Sequence, residues 1–180
     1  MYPWLRLSRA WISAVGKPNV DLLATTSIRL RVFPNDLDVN LHVNNGRYLA
    51  LADLGRLDWF LRTGLFAIAS RHKAMPVIGD AIAKFRRDLR LFQTFDIHTR
   101  MIGWDQKWAF LEHRFVREGR VIGVVAIRGV FKGPKGPVKP QMLLAELSHQ
   151  QASPACADWA NSFHQAAEQL SGLLREEERR

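Results

Sequence analysis

The chain has 180 residues, 47% of them hydrophobic, and carries a formal net charge of +9 with a pI of about 10.4. This length and composition predict one folded domain with a real core and exclude a disordered chain. The lone cysteine, Cys156, excludes an internal disulfide, so we expect an inert thiol in a reducing, cytoplasmic compartment. The basic charge favours anionic partners, but no nucleic-acid-binding motif is present, which predicts no specific nucleic-acid partner.

Residues 1–16 combine apolar and basic side chains. The apolar positions are Trp4, Leu5, Leu7, Trp11, Ile12 and Val15, with Arg6 and Arg9 between them. This pattern is typical of an amphipathic helix, which either packs on its own domain or lies at the surface of an acidic membrane. The segment is too short and too charged to span a bilayer, and it lacks the cleavage site of a signal peptide.

Residues 26–32 alternate between apolar and basic side chains, which predicts a half-buried β-strand that ends before Pro34. Residues 45–62 are apolar on nearly every side and predict an α-helix about 27 Å long. Such a helix must be surrounded by other structure, because no face of it favours water. Gly64 is predicted to end it.

The segment between this strand and this helix is crowded with polar side chains. It contains Asp36, Asp38, His42, Asn44, Asn45 and Tyr48. A carboxylate beside the free N–H groups of a helix start can activate water against a carbonyl group that those donors polarise. The segment is therefore a candidate catalytic site.

Structural interpretations of the same residues stay open. Asp36 and Asp38 are also typical turn formers, and Asn44 and Asn45 are typical helix caps. His42 either orients Asp38 or the substrate, or it is a histidine satisfied within a buried turn.

Three residues of the predicted helix also have alternative roles. Tyr48 points into either the site or the core. Asp53 and Arg56 form an i, i+3 pair, which is usually structural. If the helix is buried, this pair needs polar partners, for which a neighbouring subunit is one source.

Strand patterns continue after the helix. Four further strands are predicted at residues 76–87, 95–104, 107–117 and 120–132. Asp105 with Gln106, and Glu118 with Gly119, are short breaks that predict hairpin turns between the last three strands. The basic run Lys84, Arg86, Arg87 and Arg90 at the end of the first is either a phosphate-binding segment or a solvated strand end.

The last part of the chain changes character. Residues 133–137 are rich in glycine and proline and predict a linker that ends at Pro140. Residues 156–178 have apolar side chains at three- and four-residue spacing, which predicts a second long helix.

One long helix followed by an antiparallel meander is the arrangement of the hotdog fold, and a motif supports it. Asp36-Leu37-Asp38, followed by His42-Val43-Asn44-Asn45 and Tyr48, resembles the signature of the 4-hydroxybenzoyl-CoA thioesterase type of hotdog protein. The resemblance covers about residues 25–132 and extends to Asp53 and Arg56. It is closest to a branch that includes animal thioesterase-superfamily proteins. Leu41 departs from the pattern, because many members have glycine there.

This resemblance implies an α+β hotdog fold, in which a curved antiparallel sheet wraps around one long central helix, with additional N- and C-terminal helices. We divide the chain accordingly. Residues 1–24 are an N-terminal amphipathic segment, residues 25–140 the hotdog domain and residues 141–180 a C-terminal helical extension.

The resemblance also implies a thioesterase that acts on acyl-coenzyme A or on another pantetheine-linked acyl group. Asp38 matches the family's catalytic aspartate, as nucleophile or general base, and we assign His42 and Asn45 to catalysis with it. The helix start near Asn45, Gly46 and Arg47 is expected to polarise the carbonyl group. Thioester hydrolysis needs no redox cofactor and no metal, and coenzyme A enters only as part of the substrate.

Binding residues and partners follow from the same resemblance. The predicted substrate-binding residues are Asn44, Gly46, Tyr48, Asp53, Lys84, Arg86 and Arg87, the last three for the phosphates of coenzyme A. The family architecture implies a homodimer, or a dimer of dimers, with each active site at the subunit boundary. Peripheral membrane contact through the N-terminus is a further prediction.

Two other functions stay open. A hotdog hydratase or dehydratase would use His42 with a carboxylate, although the acid-bearing helix typical of those enzymes is not evident. A non-catalytic acyl-CoA-binding or membrane-associated hotdog protein would keep the fold and lose the chemistry. Leu41 and the basic, tryptophan-bearing N-terminus favour this second alternative.

Overall fold

The computed structural model describes residues 4–147 and 152–179. The helices in these ranges are α1 (Trp4–Val15), α2 (Asn45–Arg62), α3 (Leu65–Arg71), α4 (Pro140–Ala145) and α5 (Asp158–Glu177). The strands are β1 (Thr26–Arg31), β2 (Met75–Phe85), β3 (Thr94–Trp104), β4 (Ala109–Arg117), β5 (Arg120–Gly133) and β6 (Gly136–Val138). The predicted long helix has the bounds that its apolar pattern indicated.

The strands form one antiparallel, curved sheet in the order β1-β3-β4-β5-β2, with β6 paired to β5. Strands β1 and β2 are therefore the edges of this path. The predicted hotdog arrangement is confirmed, since the sheet wraps around α2 and the additional helices lie at the two ends of the chain.

Helix α2 occupies the centre of the core because its apolar residues point in all directions. Leu51, Leu54 and Trp59 are completely buried in one cluster with inward-facing residues of the sheet such as Ile97 and Phe115. Helix α1 packs on α2, next to the edge strand β1. The central helix is thus covered by the sheet on one side and by α1 on another, as the hydrophobic pattern requires.

Both predicted hairpins are confirmed by the pairing of the strands. Glu118 and Gly119 have φ angles of 51° and 72°, the left-handed values that a two-residue hairpin turn needs, and Arg117 pairs directly with Arg120. In the other turn, Asp105 Oδ1 accepts hydrogen bonds from the backbone N–H groups of two following residues at 2.6 and 2.7 Å. These local bonds set the register of β3, β4 and β5.

The sequence pattern did not predict three short elements. Gly64 ends α2 as expected, but its φ of 77° also lets the chain turn directly into α3. The glycine- and proline-rich linker contains β6, which folds back on β5. Pro140 begins α4 at a first-turn position, where proline loses no helical hydrogen bond.

Helix α5 lies on the outer face of the sheet, where a buried arginine holds it. Arg128 on β5 is completely buried, and its guanidinium binds Glu168 of α5 at 2.7 Å and Asp80 of β2 at 2.5 Å. It also stacks on the ring of Trp108, 4.1 Å from the centroid. None of the helices in residues 4–147 and 152–179 has the length and apolarity needed to cross a membrane.

Gly55 lies where α2 comes close to the sheet, so we expect the fold to be destabilised by a side chain at this position. A Cβ atom there would lie 2.5 Å from Thr99 Oγ1 and 3.0 Å from Ile97 Cγ2 of β3. We expect Gly55→Ala to lower the free energy of unfolding by about 1–3 kcal/mol, because the helix must move off the sheet.

The matched control is Gly172 in α5, where an added Cβ meets no atom within 4 Å. Gly172→Ala should raise the free energy of unfolding by about 0.5–1 kcal/mol through helix propensity alone. Urea denaturation at one protein concentration measures both. Equal effects of the two substitutions would contradict the close helix–sheet contact.

Candidate active site

The candidate catalytic residue Asp38 begins a tight turn. Its backbone N–H donates to the His42 carbonyl at 2.9 Å, and its own carbonyl accepts from the Leu41 N–H at 3.0 Å. Its side-chain Oδ1 accepts from the Asn40 N–H at 2.9 Å. No bond from the described residues is made to Oδ2, and the side chain is only half-buried. Asp38 thus combines a turn-forming role with a carboxylate oxygen that is open to water or substrate.

Asp36, two residues earlier, is buried and connects the segment to α1 and α2. Its side chain is 1% exposed and binds Arg6 at 2.7 Å, Arg47 at 2.8 Å and the Phe33 N–H at 2.9 Å. Burial by itself raises the pKa of this carboxyl, but the bonds from Arg6, Phe33 and Arg47 outweigh burial and hold the pKa below its ordinary value of 3.8.

The sign of this pKa shift gives the pH range in which Asp36 stabilises the fold. A depressed folded-state pKa contributes stability above the unfolded value of 3.8, and that stability is lost as the pH falls through the folded pKa. At neutral pH the role of Asp36 is therefore structural. This agrees with its interpretation as a turn former and adds the ion pairs with Arg6 and Arg47 to that role.

Leu41 keeps the backbone conformation that glycine favours. Its φ is 58°, in the left-handed region, and its side chain is 70% exposed. Leucine at this position therefore adopts the backbone conformation that glycine would adopt, and its side chain adds steric strain of about 1–2 kcal/mol. The turn that presents Asp38 is retained.

The start of α2 offers fewer free donors than the sequence indicated. Asn44 is the helix cap, and its Oδ1 accepts from the Gly46 N–H at 2.9 Å. The Arg47 N–H donates to the Asn44 carbonyl at 2.9 Å. Near the helix start that is expected to polarise the carbonyl group, the N–H groups of Gly46 and Arg47 are already bonded to Asn44. The Asn45 N–H is the one in this turn without an acceptor among the described residues.

Gly46 has a local reason to be glycine. A Cβ atom there would lie 3.2 Å from Asn44 Oδ1, so the position leaves room for the cap. The Gly46 N–H is therefore used by the helix cap, and the roles of Asn44 and Gly46 in substrate binding stay predictions.

Tyr48 belongs to the core. It is 3% exposed, and its ring lies between Phe85 and Phe115 at centroid distances of 5.0 and 4.8 Å. Burial, with a smaller contribution from Asp88, raises the pKa of Tyr48 to about 12. The aromatic ring is thus packed on both sides, and the role of Tyr48 in substrate binding stays a prediction.

The segment that follows β2 lies directly beside the Asp38 turn. The Val43 N–H donates to the Leu89 carbonyl at 2.8 Å, and His42 pairs with Arg90 in an isolated antiparallel bridge. The imidazole of His42 faces Asp88, with 3.3 Å between Nε2 and Oδ2. Among the described residues the His42 side chain makes no bond to Asp38, so its predicted catalytic role has no direct geometric support. Asp88 is a site residue that the sequence reasoning missed, because only folding brings it to His42.

The basic residues of this segment are exposed next to the turn. Arg86 and Arg87 both donate their backbone N–H groups to the Ile122 carbonyl, at 2.9 and 3.1 Å, and have no side-chain partner among the described residues. Lys84 is exposed on the outer face of the sheet, over Val124. Arg86 and Arg87 thus lie exposed a few residues before Leu89 and Arg90, which contact the Asp38 turn, whereas Lys84 lies on the outer face of the sheet.

Asp53 and Arg56 form the predicted ion pair on α2, and Arg56 lines a separate cavity. This cavity has a volume of about 330 Å³ and lies between the second half of α2 and the first half of β2. Its walls are mostly apolar and include Phe60, Val77 and Phe131. The sequence signal for it is weak, since its lining comes from four different elements.

The fold and motif agree with comparisons to known proteins. The family model of the thioesterase-like superfamily matches residues 32–147, which include the Asp38 turn, all of α2 and strands β2 to β6. The chain belongs to the thioesterase-like superfamily. It is 46% identical over 97 residues to Protein THEM6 of Xenopus laevis, a match that covers 53% of this chain and 46% of that protein. The chain spans about half the length of the curated THEM6 relatives it matches.

Solved structures of a thioesterase and a probable thioesterase share the architecture. A probable thioesterase from Escherichia coli, YbaW, superimposes with a TM-score of 0.64 at 24% identity, covering 69% of this chain and 96% of that one. A thioesterase from Thermus thermophilus, solved with coenzyme A and zinc, gives a TM-score of 0.59 at 21% identity and covers 67% and 89%. At these identities the likeness establishes the hotdog fold alone.

The left-handed φ angle of Leu41 predicts that substitution by glycine at this position stabilises the protein. We expect Leu41→Gly to raise the free energy of unfolding by about 0.5–1 kcal/mol, because relief of left-handed strain exceeds the added entropy of the unfolded chain. Val39 is the matched control, since it lies in the same turn, is 95% exposed and does not have a positive φ. Val39→Gly should lower stability by about 0.5–1 kcal/mol in the same urea titration. A loss of stability in both variants would argue against strain at Leu41.

Proposed function

We propose that this protein hydrolyses an acyl-coenzyme A, or another pantetheine-linked acyl thioester, to the free acid and the thiol. Two observations carry the proposal: Asp38 Oδ2 has no partner among the described residues, and the N–H of Asn45, at the start of α2 in the same segment, has no acceptor among them. Membership of the thioesterase-like superfamily supports the reaction class.

The two groups divide the chemistry between them. In the general-base form, Asp38 takes a proton from water as the water oxygen bonds to the carbonyl carbon. The carbonyl oxygen gains negative charge, which the Asn45 N–H and the positive end of the α2 dipole stabilise. The carbon–sulfur bond then breaks, and the proton held by Asp38 passes to the departing thiolate. In the nucleophilic form, Asp38 itself attacks the carbonyl carbon, and the carbon–sulfur bond breaks to release the thiolate and leave an anhydride. Water then hydrolyses the anhydride, which regenerates the Asp38 carboxylate and releases the acid, and a proton from this step passes to the thiolate.

The basic segment beside the turn supports coenzyme A as the carrier. Arg86 and Arg87 are exposed and adjacent to the site, and their planar guanidinium groups suit phosphate oxygens. The Thermus thermophilus superfamily member was solved with coenzyme A bound, which is consistent with the same ligand class here. His42 and Asp88 then hold this segment against the Asp38 turn rather than taking part in bond making.

Strand β2 supports the second part of the proposal, a homodimer. It is an 11-residue edge strand, and its apolar residues Met75, Val77, Ile78, Ile82 and Phe85 are each at least 40% exposed. A long apolar edge favours pairing with another strand, and antiparallel pairing with its own copy satisfies the free N–H and C=O groups of both.

Antiparallel pairing of two β2 strands would also complete each site. The Phe85 end of β2 lies beside Tyr48 at the start of α2, whereas the Val77 end lines the apolar cavity with Phe60. A two-fold axis through the paired strands would bring the Phe85 end of one protomer to the Val77 end of its partner. The acyl group would then enter the partner's cavity while the thioester lies at Asp38 of the first protomer.

Substitutions at Asp38 and Asn45 test the chemistry. We expect Asp38→Asn to lower kcat by about 10²–10⁴-fold, because the amide cannot take the proton or attack. Asn45→Pro should lower kcat by about 10²–10³-fold, because it deletes only the donor N–H at a first-turn position that helices tolerate. Release of free thiol from a panel of aromatic and aliphatic acyl-CoA thioesters measures both.

The matched control is Asn45→Ala, which keeps the N–H and removes only the side chain, and it should retain wild-type kcat. If Asp38→Asn binds acyl-CoA and its slow hydrolysis equals that of the wild type, the protein is a non-catalytic acyl-CoA-binding member. If Asn45→Ala and Asn45→Pro lose activity equally, the amide side chain is the group that matters and the backbone-donor mechanism is wrong.

Mixed dimers test the shared site. Val77→Trp should fill the cavity and abolish hydrolysis, as Asp38→Asn does. In co-expressed mixtures of the two variants, heterodimers would contain one site with both an intact Asp38 and an intact cavity. We expect recovery of about a quarter of wild-type activity per chain at equal expression. No recovery in purified heterodimers would place both groups of one site in the same protomer.

A further inference from the structure

Helix α1 packs Leu7, Ala10 and Ala14 on the protein and has a second apolar face that points outward, at whose border Trp11 contacts the Phe66 ring. Its exposed apolar residues are Trp4, Leu5, Trp11, Ile12 and Val15, with Leu5 83% and Ile12 72% exposed. These positions fall on one side of the helix, because residues four apart lie one above the other. In the monomer, a continuous apolar strip of this helix is therefore in contact with water.

The orientation of α1 is fixed by the charged residue on its inner face. Arg6 binds the buried carboxylate of Asp36 at 2.7 Å and also donates to the Arg31 carbonyl at 3.0 Å. Its guanidinium lies 4.8 Å from the centroid of the Phe33 ring, and Ala14 of the same helix is 3% exposed. The helix cannot rotate its apolar strip inward without breaking this ion pair.

Basic side chains border the strip. A groove of about 470 Å³ runs between α1 and the edge strand β1, and Arg9, Lys17, Arg29 and Arg31 line it. Lys17 is paired with Asp58, Arg29 with Asp96, and Arg31 donates to the Phe92 carbonyl. Arg9 is exposed and has no side-chain partner among the described residues. The apolar strip and a cationic groove thus lie side by side on one surface of a chain whose net charge is +9.

We propose that this surface docks on an anionic phospholipid bilayer. The apolar strip would enter the boundary between head groups and acyl chains, where tryptophan side chains are favoured, while Arg9 and the groove bind lipid phosphates. A bilayer surface has an anionic head-group layer for the basic border and an acyl-chain layer for the apolar strip. A protein partner would not need this combination. The ion pair of Arg6 with Asp36 would connect the membrane contact to the turn that carries Asp38, two residues further on.

Vesicle co-sedimentation of the full chain tests the proposal without reference to catalysis. The wild type should bind vesicles of phosphatidylcholine with phosphatidylglycerol more tightly than vesicles of phosphatidylcholine alone, and the preference should fall with added salt. The double variant Leu5→Glu with Ile12→Glu should bind the anionic vesicles at least about tenfold more weakly. Arg9→Glu should reduce the preference for anionic lipid.

The matched control is Leu170→Glu with Leu173→Glu, which adds the same charges to exposed apolar positions of α5. This variant should bind as the wild type does, and circular dichroism verifies that each variant is folded. Failure of the wild type to bind anionic vesicles, or equal loss of binding in the α1 and α5 variants, would overturn the proposal. Sedimentation velocity tests the alternative that the apolar strip binds a protein. If the wild type is an oligomer that does not bind vesicles, and the α1 variant is a monomer, the strip is a protein interface.

Discussion

The buried carboxylate of Asp36 is the interaction on which the arrangement of this protein depends. It receives Arg6 from α1, Arg47 from α2 and the Phe33 N–H from the chain that leaves β1. One ion thus joins α1 to the start of α2 and to the chain that leaves β1, and its bond to Arg6 spans 30 residues. A buried carboxylate is stable only when its charge and lone pairs are satisfied, so the three partners must be present together. The turn that carries Asp38 is held between these fixed points.

The site that results is built from a helix start and two neighbouring loops. The Asn44 cap occupies two of the N–H groups in the first turn of α2 and leaves that of Asn45. Asn44, Asn45 and Gly46 are all exposed, so the N–H that the cap leaves belongs to a residue that a ligand can reach. Leu41 adds strain to the same turn, which functional sites tolerate when the surrounding structure fixes the backbone.

Two apolar surfaces of the monomer have different characters. Strand β2 offers an edge of unpaired backbone groups together with apolar side chains, which suits a second copy of the chain. Helix α1 satisfies its backbone groups internally along most of its length, and its apolar strip is bordered by arginine and lysine side chains. The difference in hydrogen-bonding capacity and charge is the reason for assigning a protein partner to one surface and a lipid partner to the other.

Elements with local signals could be predicted from the order of residues. The apolar pattern of α2, the alternation of β1 and the hairpin at Glu118 and Gly119 depend on neighbours within a few residues, and all were predicted. The Asp38 motif identified the superfamily for the same reason. Folding in three dimensions was needed to show that Tyr48 packs in the core, that His42 faces Asp88 and that the Asn45 N–H is the free donor. It was also needed to show that Arg6 turns inward and the apolar strip of α1 outward. These outcomes depend on which distant groups compete for the same hydrogen bonds and charges, and the order of residues along a chain does not specify that competition.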